Sequence, residues 1–326
     1  MKALMRVSDA NRAEWLEKKK TTIGASEIAS VAGLNKYCSP LKLWMEKTGK
    51  LEPEPENDAM FIGKHAESLV ASVFERKNPD AGAVYPAQIL CAHDEYEWAT
   101  ATPDFWLLPF DCEISKNNLW ELPGAKILET KMQRSTALQF WENEKIPDSY
   151  AFQMLWQMGV TGLQTAYIAS LIGGFDFRSV KLDFNPELFQ KLIEIASRFR
   201  DFVQKDLPPV AGPGDAKLVE GLRGAEARAD SIRLQDSEAL KLAASWQVAK
   251  ERKALLQEEM DRWDSEQKFA QNNLLLMMGN AAEARIEGFE NGILKKIKIT
   301  AKEISRAAHE VKASKYTRFD LKVVEE

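Results

Sequence analysis

Hydrophobic and polar positions change rhythm several times along this chain. Residues 8–36 carry a helical pattern in two pieces, the first with Trp15 and Leu16 behind a capping Ser8, the second opening at Ser26-Glu27-Ile28-Ala29. A stiff acidic loop, Glu52-Pro53-Glu54-Pro55-Glu56-Asn57, precedes a helix capped by Asp58 that runs to Lys77 and stops at Asn78-Pro79-Asp80-Ala81-Gly82. From Ala83 to Lys131 the texture becomes extended. The candidate strands are Val84–Leu90, Trp98–Thr100 leading into Phe105–Leu108, and Lys126–Met132, the last two joined by a polar connection containing Asn117-Asn118. A helix over Tyr150–Thr161 closed by Gly162, an apolar strand Ala166–Leu171 and a helix over 187–204 after Pro186 follow. This alternation predicts an α/β (α+β) fold with a central mixed sheet flanked by helices.

The Pro/Gly-rich stretch around 208–214 reads as a linker between a domain over 1–207 and a C-terminal region over 215–326. There the apolar positions Leu242, Trp246, Ala249, Leu256, Met260, Trp263, Ala270, Leu274 and Met277, with Lys253 and Gln267 as polar breaks, alternate spacings of four and three. That is a heptad seam, explained either by a helical hairpin packed on its own domain or by pairing between molecules. Arg285–Gly288, Asn291-Gly292 and Ile293–Ile299 predict a β-hairpin, followed by a basic β/α tail.

Composition narrows the class. At 326 residues there is ample length for a core, and no apolar run is long enough to span a bilayer, so no membrane partner is expected and a cytoplasmic location is the expectation. Cys38, Cys91 and Cys112 are odd in number and form no CxxC pair, so they read as free thiols and cannot ligate an iron–sulfur cluster. His65, His93 and His309 show no ligand spacing. A net charge of −5 gives no support to nucleic-acid binding, yet residues 291–322 hold nine Lys/Arg against three acids, a basic stretch that fits a phosphate-facing surface or an ordinary solvated face equally well.

The chemistry concentrates at Ile127-Leu128-Glu129-Thr130-Lys131 and Thr102-Pro103-Asp104. A strand ending in Glu-x-Lys sends the acid and the amine to the same side of a sheet. Asp104, opening a second apolar strand, can meet Glu129 if the two strands pair, and two carboxylates suit a hard cation such as Mg²⁺. Glu67 sits at the edge of the buried face of the 58–77 helix, either bound to metal or hydrogen-bonded to a structural lysine or backbone. Gln153 and Gln157, one turn apart on a largely buried helix, need polar partners, supplied by the backbone or by the active site and a phosphate.

The series Trp15…Lys19…Ile23-Gly24-Ala25-Ser26-Glu27, Gly63-Lys64-His65-Ala66-Glu67, Thr102-Pro103-Asp104, Leu128-Glu129-Thr130-Lys131 and Tyr150-Ala151-Phe152-Gln153…Gln157…Thr161-Gly162 resembles, in order, the YqaJ-type viral recombinases. That group includes the lambda exonuclease family within the PD-(D/E)xK nucleases, and the resemblance covers residues 8–207. It implies a PD-(D/E)xK restriction-endonuclease-like core in which Asp104, Glu129 and the Thr130 carbonyl hold Mg²⁺ (Mn²⁺ as a substitute), Lys131 orients or activates the attacking water, and Glu67 assists. It places Lys19, Ser26, Thr102 and Gln153 at the 5′-terminal phosphate, with Gln157 alongside. Lys19 stands where the family has arginine, which loses bidentate phosphate recognition. The implied activity is 5′→3′ resection of linear double-stranded DNA ends, leaving 3′ single strands for a single-strand annealing protein, by a homo-oligomer shaped as a trimeric ring, in a bacterial host cell. Competing expectations are an endonuclease of the same superfamily, a catalytically silent DNA-binding recombination scaffold, and a helical assembly protein built on the heptad seam.

Overall fold

The structure, a computed structural model, describes residues 1–326 except 8, 53, 111–118, 224–235, 291–292, 306–314 and 324–326. Ser8, Pro53, Cys112, the Asn117-Asn118 connection, the Asn291-Gly292 turn, Arg306, His309 and Lys312 therefore lie outside the described residues. The chain divides into two compact units, Met1–Arg228 and Ala229–Glu326.

The first unit opens with β1 (Lys2–Arg6), α1 (Arg12–Thr21), β2 (Ile23–Gly24), α2 (Ile28–Val31) and α3 (Pro40–Lys47). Strand β1 and helix α3 escape the sequence pattern; the Ser39 side chain caps α3 at the Lys42 amide, 3.1 Å away. Helix α4 (Asp58–Lys77) is capped by Asn57, not Asp58, because the Asn57 carboxamide accepts from the Met60 amide at 3.0 Å. The single strand expected over Val84–Leu90 is two: β3 (Ala83–Pro86) and β4 (Ile89–Ala92). Gln88 at φ 46° turns the chain between them and sends them to different sheets. Then come β5 (Ala99–Ala101), β6 (Phe105–Leu108), β7 (Lys126–Gln133), α5 (Asp148–Thr161), β8 (Thr165–Ile172), β9 (Asp176–Asp183), α6 (Pro186–Gln204) and α7 (Ala216–Arg223). Strand β9, which alternates exposed and half-buried positions with one break, is not expected from the sequence.

A five-stranded mixed sheet, β3-β6-β7-β8-β9, forms the centre, antiparallel except for the β7–β8 pair. Parallel neighbours need a crossover, and α5 supplies it. Gly162, at φ 76°, ends α5 in the left-handed conformation that lets the chain turn back into β8. Side-chain alternation divides β7 between two cores. Leu128 packs with Val70 and Phe74 of α4, whereas Ile127 packs with Met154, Trp156 and the α6 residues Phe189 and Leu192. Helix α4 thus covers one face, and α5 with α6 covers the other. A smaller sheet, β1-β4-β5-β2, adjoins this core, its β2–β5 pair being parallel.

The stretch 208–214 expected as a linker falls inside the first unit. Asp215 is buried: it accepts from Ser39 Oγ at 2.6 Å and from the Gly212 amide at 2.7 Å, fastening this proline-rich segment to the start of α3. In the second unit, the heptad region is a single helix, α8 (Ser237–Met278), and not a helical hairpin. It is followed by an antiparallel sheet of β10 (Glu283–Glu290), β11 (Ile293–Ser305) and β12 (Lys315–Val323). The expected hairpin is β10–β11, and the basic tail contributes a third strand. Among the described residues no helix is long and apolar enough to cross a membrane.

Gly159 on α5 lies close against α6, since a Cβ there would stand 2.1 Å from the Phe189 ring. Gly159→Ala should destabilise the first unit by about 1–3 kcal/mol through overpacking, read as a lowered urea midpoint with unchanged slope. An unchanged midpoint would mean that α5 and α6 pack less closely than described.

Candidate active site

The site arises where two strands differ in length. Strand β6 pairs with β7 only from Phe105 opposite Leu128 to Leu107 opposite Lys126, while β7 continues along β8 to Gln133. Past Leu128, one edge of β7 has lost its neighbour. Asp104, the residue before β6, fills the gap: its Oδ2 accepts from the Thr130 amide and from Thr130 Oγ1, each at 2.8 Å. An extended residue directs its N–H and C=O to the same edge, so the Thr130 carbonyl belongs to this open edge as well.

Glu129, with 3% exposure, is held from three directions. Lys131 Nζ and Gln153 Nε2 both donate to Oε1 at 2.5 Å, and Gln157 Nε2 donates to Oε2 at 2.8 Å. The strand period brings Lys131 to Glu129, and the helical spacing of Gln153 and Gln157 brings both amides to the same carboxylate. Tyr150, one turn earlier on α5, lies under Lys131, with the ammonium 5.4 Å from its ring centroid. Its hydroxyl accepts from Gln133 at 3.0 Å, and Gln133 in turn accepts from buried Ser170 at 3.1 Å.

Charge here is strongly perturbed. Burial, and then the Glu129 carboxylate, push Asp104 up to about 8. Burial by itself would lower Lys131, but the Glu129 and Asp104 carboxylates outweigh it and raise its pKa, so the amine stays protonated. Glu67 is raised by burial first and by Glu129 second, which puts it within electrostatic reach of the pair.

The donor set fits a hard cation. Asp104 engages the protein through Oδ2, Glu129 retains lone pairs beyond three donors, and Gln157 Oε1 is a buried acceptor with no partner in the structure. Among the described residues no three His, Cys, Asp or Glu side chains stand together as a metal cluster. Two open cavities of ≈ 470 and ≈ 490 Å³ lie elsewhere, and neither is lined by these carboxylates.

Of the residues implied at a 5′-phosphate, Gln153 and Gln157 are given to Glu129. Of the others, Lys19 lies on α1, and Ser26 and Thr102 follow β2 and β5. Gly24 pairs in parallel with Thr100, and Ser26 and Thr102 each come two residues further on. The Lys19 ammonium lies 4.7 Å from the Trp15 ring centroid, and its side chain passes close to Gly24. Lys47 of α3 fixes this segment, donating to the carbonyls of Lys19 and Thr22 at 2.7 Å and pairing with Glu27 at 3.0 Å, while Glu27 also accepts from the Gly24 amide. Cys38 and Cys91 are free thiols, as expected. Within the basic stretch, Lys298 pairs with Glu283 at 2.8 Å.

Residues 14–164 match the family model of the YqaJ-like viral recombinase domain. That stretch is similar to the YqaJ-like viral recombinase domain. The chain is 27% identical over 293 residues to the uncharacterized protein YqaJ of Bacillus subtilis (strain 168), spanning 88% of this chain and 84% of that protein. Among solved structures, an alkaline exonuclease (LHK-Exo) from Laribacter hongkongensis is 19% identical, covering 60% of this chain and 93% of its own, with a TM-score of 0.47. A phage-related exonuclease from Haemophilus somnus 129PT is 13% identical, covering 56% and 94%, with a TM-score of 0.42. The YqaJ-like match ends at residue 164, so it holds every site residue discussed above except Ser170.

The sequence put Tyr150 on one helix face with Gln153 and Gln157, but the rest of the site's bracing was missed. Gln133, Ser170 and Lys47 gave no signal, because their partners lie on other elements. A carboxyl whose folded pKa exceeds its unfolded value of about 3.9 binds more protons folded than unfolded. Asp104 therefore contributes stability that is complete below the unfolded pKa and is lost as pH rises through about 8. Metal-free protein should lose melting temperature between roughly pH 4 and pH 8 from this source, and Asp104→Asn should flatten the decline and be the more stable form at pH 8. An equal decline in both proteins would remove Asp104 as its origin.

Proposed function

We propose that the chain is a divalent-metal-dependent DNA exonuclease that resects linear double-stranded DNA 5′→3′, leaving 3′ single strands for recombination by annealing. The observation that carries this reading is the convergence of Asp104, Glu129 and Lys131 at the open end of β7. Buried acids beside a protonated amine are costly as structure alone, and they are the parts needed to hydrolyse a phosphodiester. The direction and the annealing partner rest on the resemblance to the YqaJ-type recombinases.

Asp104, Glu129 and the Thr130 carbonyl would hold Mg²⁺. The bound cation would stabilise charge on the phosphate and make hydroxide available near neutral pH. Gln153 and Gln157 fix the rotamer of Glu129, so its oxygens need no reorganisation when substrate arrives. Lys131, a donor without a lone pair, orients the attacking water or steadies an equatorial phosphate oxygen and does not act as a base. Ser26 and Thr102 follow the paired strands β2 and β5, Asp104 comes two residues after Thr102, and with Lys19 of α1 they would hold a terminal phosphate that sets the register of the strand to be cut.

Asp104→Ala or Glu129→Ala should reduce digestion of linear duplex in Mg²⁺ on the order of a thousandfold or more. Duplex labelled at the 5′ or 3′ end, with and without a 5′ phosphate, reads activity, direction and end preference together. Wild-type rates in either variant would refute the assignment. Cleavage of covalently closed circles would turn the reading to an endonuclease.

A further inference from the structure

Helix α8 runs for 42 residues with none of them buried. Trp246, Trp263 and Met260 remain 63%, 60% and 59% exposed, and of the large apolar seam residues only Leu274 is half-buried. A helix of this length gains its stability from packing an amphipathic face, and nothing in the described chain covers this one. The order of charges beside the seam says what would.

We infer that α8 pairs with α8 of a second copy in antiparallel orientation. In the heptad frame, Trp246, Lys253, Met260, Gln267 and Leu274 occupy position a, and Leu242, Ala249, Leu256, Trp263, Ala270 and Met277 occupy position d. A parallel, in-register pair would set Glu259 against Asp264 of the second copy, twice, with no opposite-charge pair to offset it. Turning one helix end for end places a opposite d, e opposite e and g opposite g. With Met260 opposite Leu256, Lys250 then meets Asp264 and Arg252 meets Glu266, and twofold symmetry repeats both pairs.

The core agrees with the same register. Bulky Trp246 falls opposite small Ala270, Leu274 opposite Leu242, and the polar Lys253 opposite the face of Trp263. One like-charge contact remains, Glu259 against itself at the twofold axis. A second apolar line, Val248, Leu255, Phe269 and Leu276, lies beyond the g row and would flank the contact. The exposed acids Glu251, Glu258 and Asp261 on the opposite face do not suit an anionic membrane surface.

Sedimentation of the full chain tests this. Wild type should sediment at an even multiple of the 36.8 kDa chain, and Met260→Glu, which places a charge in the seam, should halve that mass while the far-ultraviolet spectrum of the first unit persists. Equal masses for the two proteins overturn the proposal. Lys250→Glu and Asp264→Lys should each weaken self-association about tenfold or more. An equimolar mixture of the two should regain wild-type affinity, because each altered charge then faces its opposite. Residues 250 and 264 stand about 21 Å apart along one helix, so rescue on mixing cannot arise within a chain. Single variants that associate like wild type, or a mixture that fails to recover, likewise overturn it.

Discussion

A buried carboxylate must be neutralised or hydrogen-bonded, and Glu129 is the point at which this chain meets that demand. Its oxygens receive Lys131 from its own strand and Gln153 and Gln157 from the crossover helix. The arrangement ties β7 to α5 across an apolar interface that has few other polar contacts. It also explains why α5 carries two glutamines among Met154, Leu155, Trp156 and Met158, where unpaired amides would be expensive. Gln157 Oε1, left without a partner, and Asp104, raised by its surroundings, show that the cluster is polar beyond what its own hydrogen bonds satisfy. The cation proposed for this place would relieve both.

Around that constraint the fold separates two tasks. The central sheet ends β6 early and lets β7 run on, creating an edge at which side chains and a carbonyl converge. In the smaller sheet β2 and β5 pair in parallel, and Thr102, just past β5, stands two residues before Asp104. The buried Lys47–Glu27 pair fixes the approach from α1. Its side chains are 5% and 15% exposed, and burial lowers the Lys47 pKa, so the pair persists through the extra carbonyl contacts Lys47 makes. The second unit stands apart in composition and exposure. Its long helix shows apolar surface where the first unit hides it.

Much of this was legible without coordinates. The helices α4, α5 and α6 and the strands β6, β7 and β8 fall where periodicity placed them, because each buries one face and its pattern is strong. Glu129 and Lys131 were placed together by the two-residue period of a strand, a relation that no tertiary context alters. The errors have equally physical causes. The Asn57 cap and the break at Gln88 depend on single backbone torsions, β1 carries too little alternation to register as a strand, and the alternation of β9 has one break. The Pro/Gly-rich stretch at 208–214 has the composition of a linker, but Asp215 is buried against Ser39, and burial is not encoded in composition.

What the sequence determined by itself is local: the period of each element, the pairing of Glu129 with Lys131, the shared face of Gln153 and Gln157, and the heptad seam of α8. These follow from backbone geometry, which repeats the same way in any fold. What only the tertiary structure decided is which distant groups meet. It gave Asp104 to Thr130, both glutamines to Glu129, Tyr150 to Lys131 and Lys47 to the 19–27 segment. It also made the heptad region one exposed helix instead of a hairpin. Such partnerships are chosen by the cost of burying a charge or an amide unpaired, and that cost exists only once the chain has closed around it.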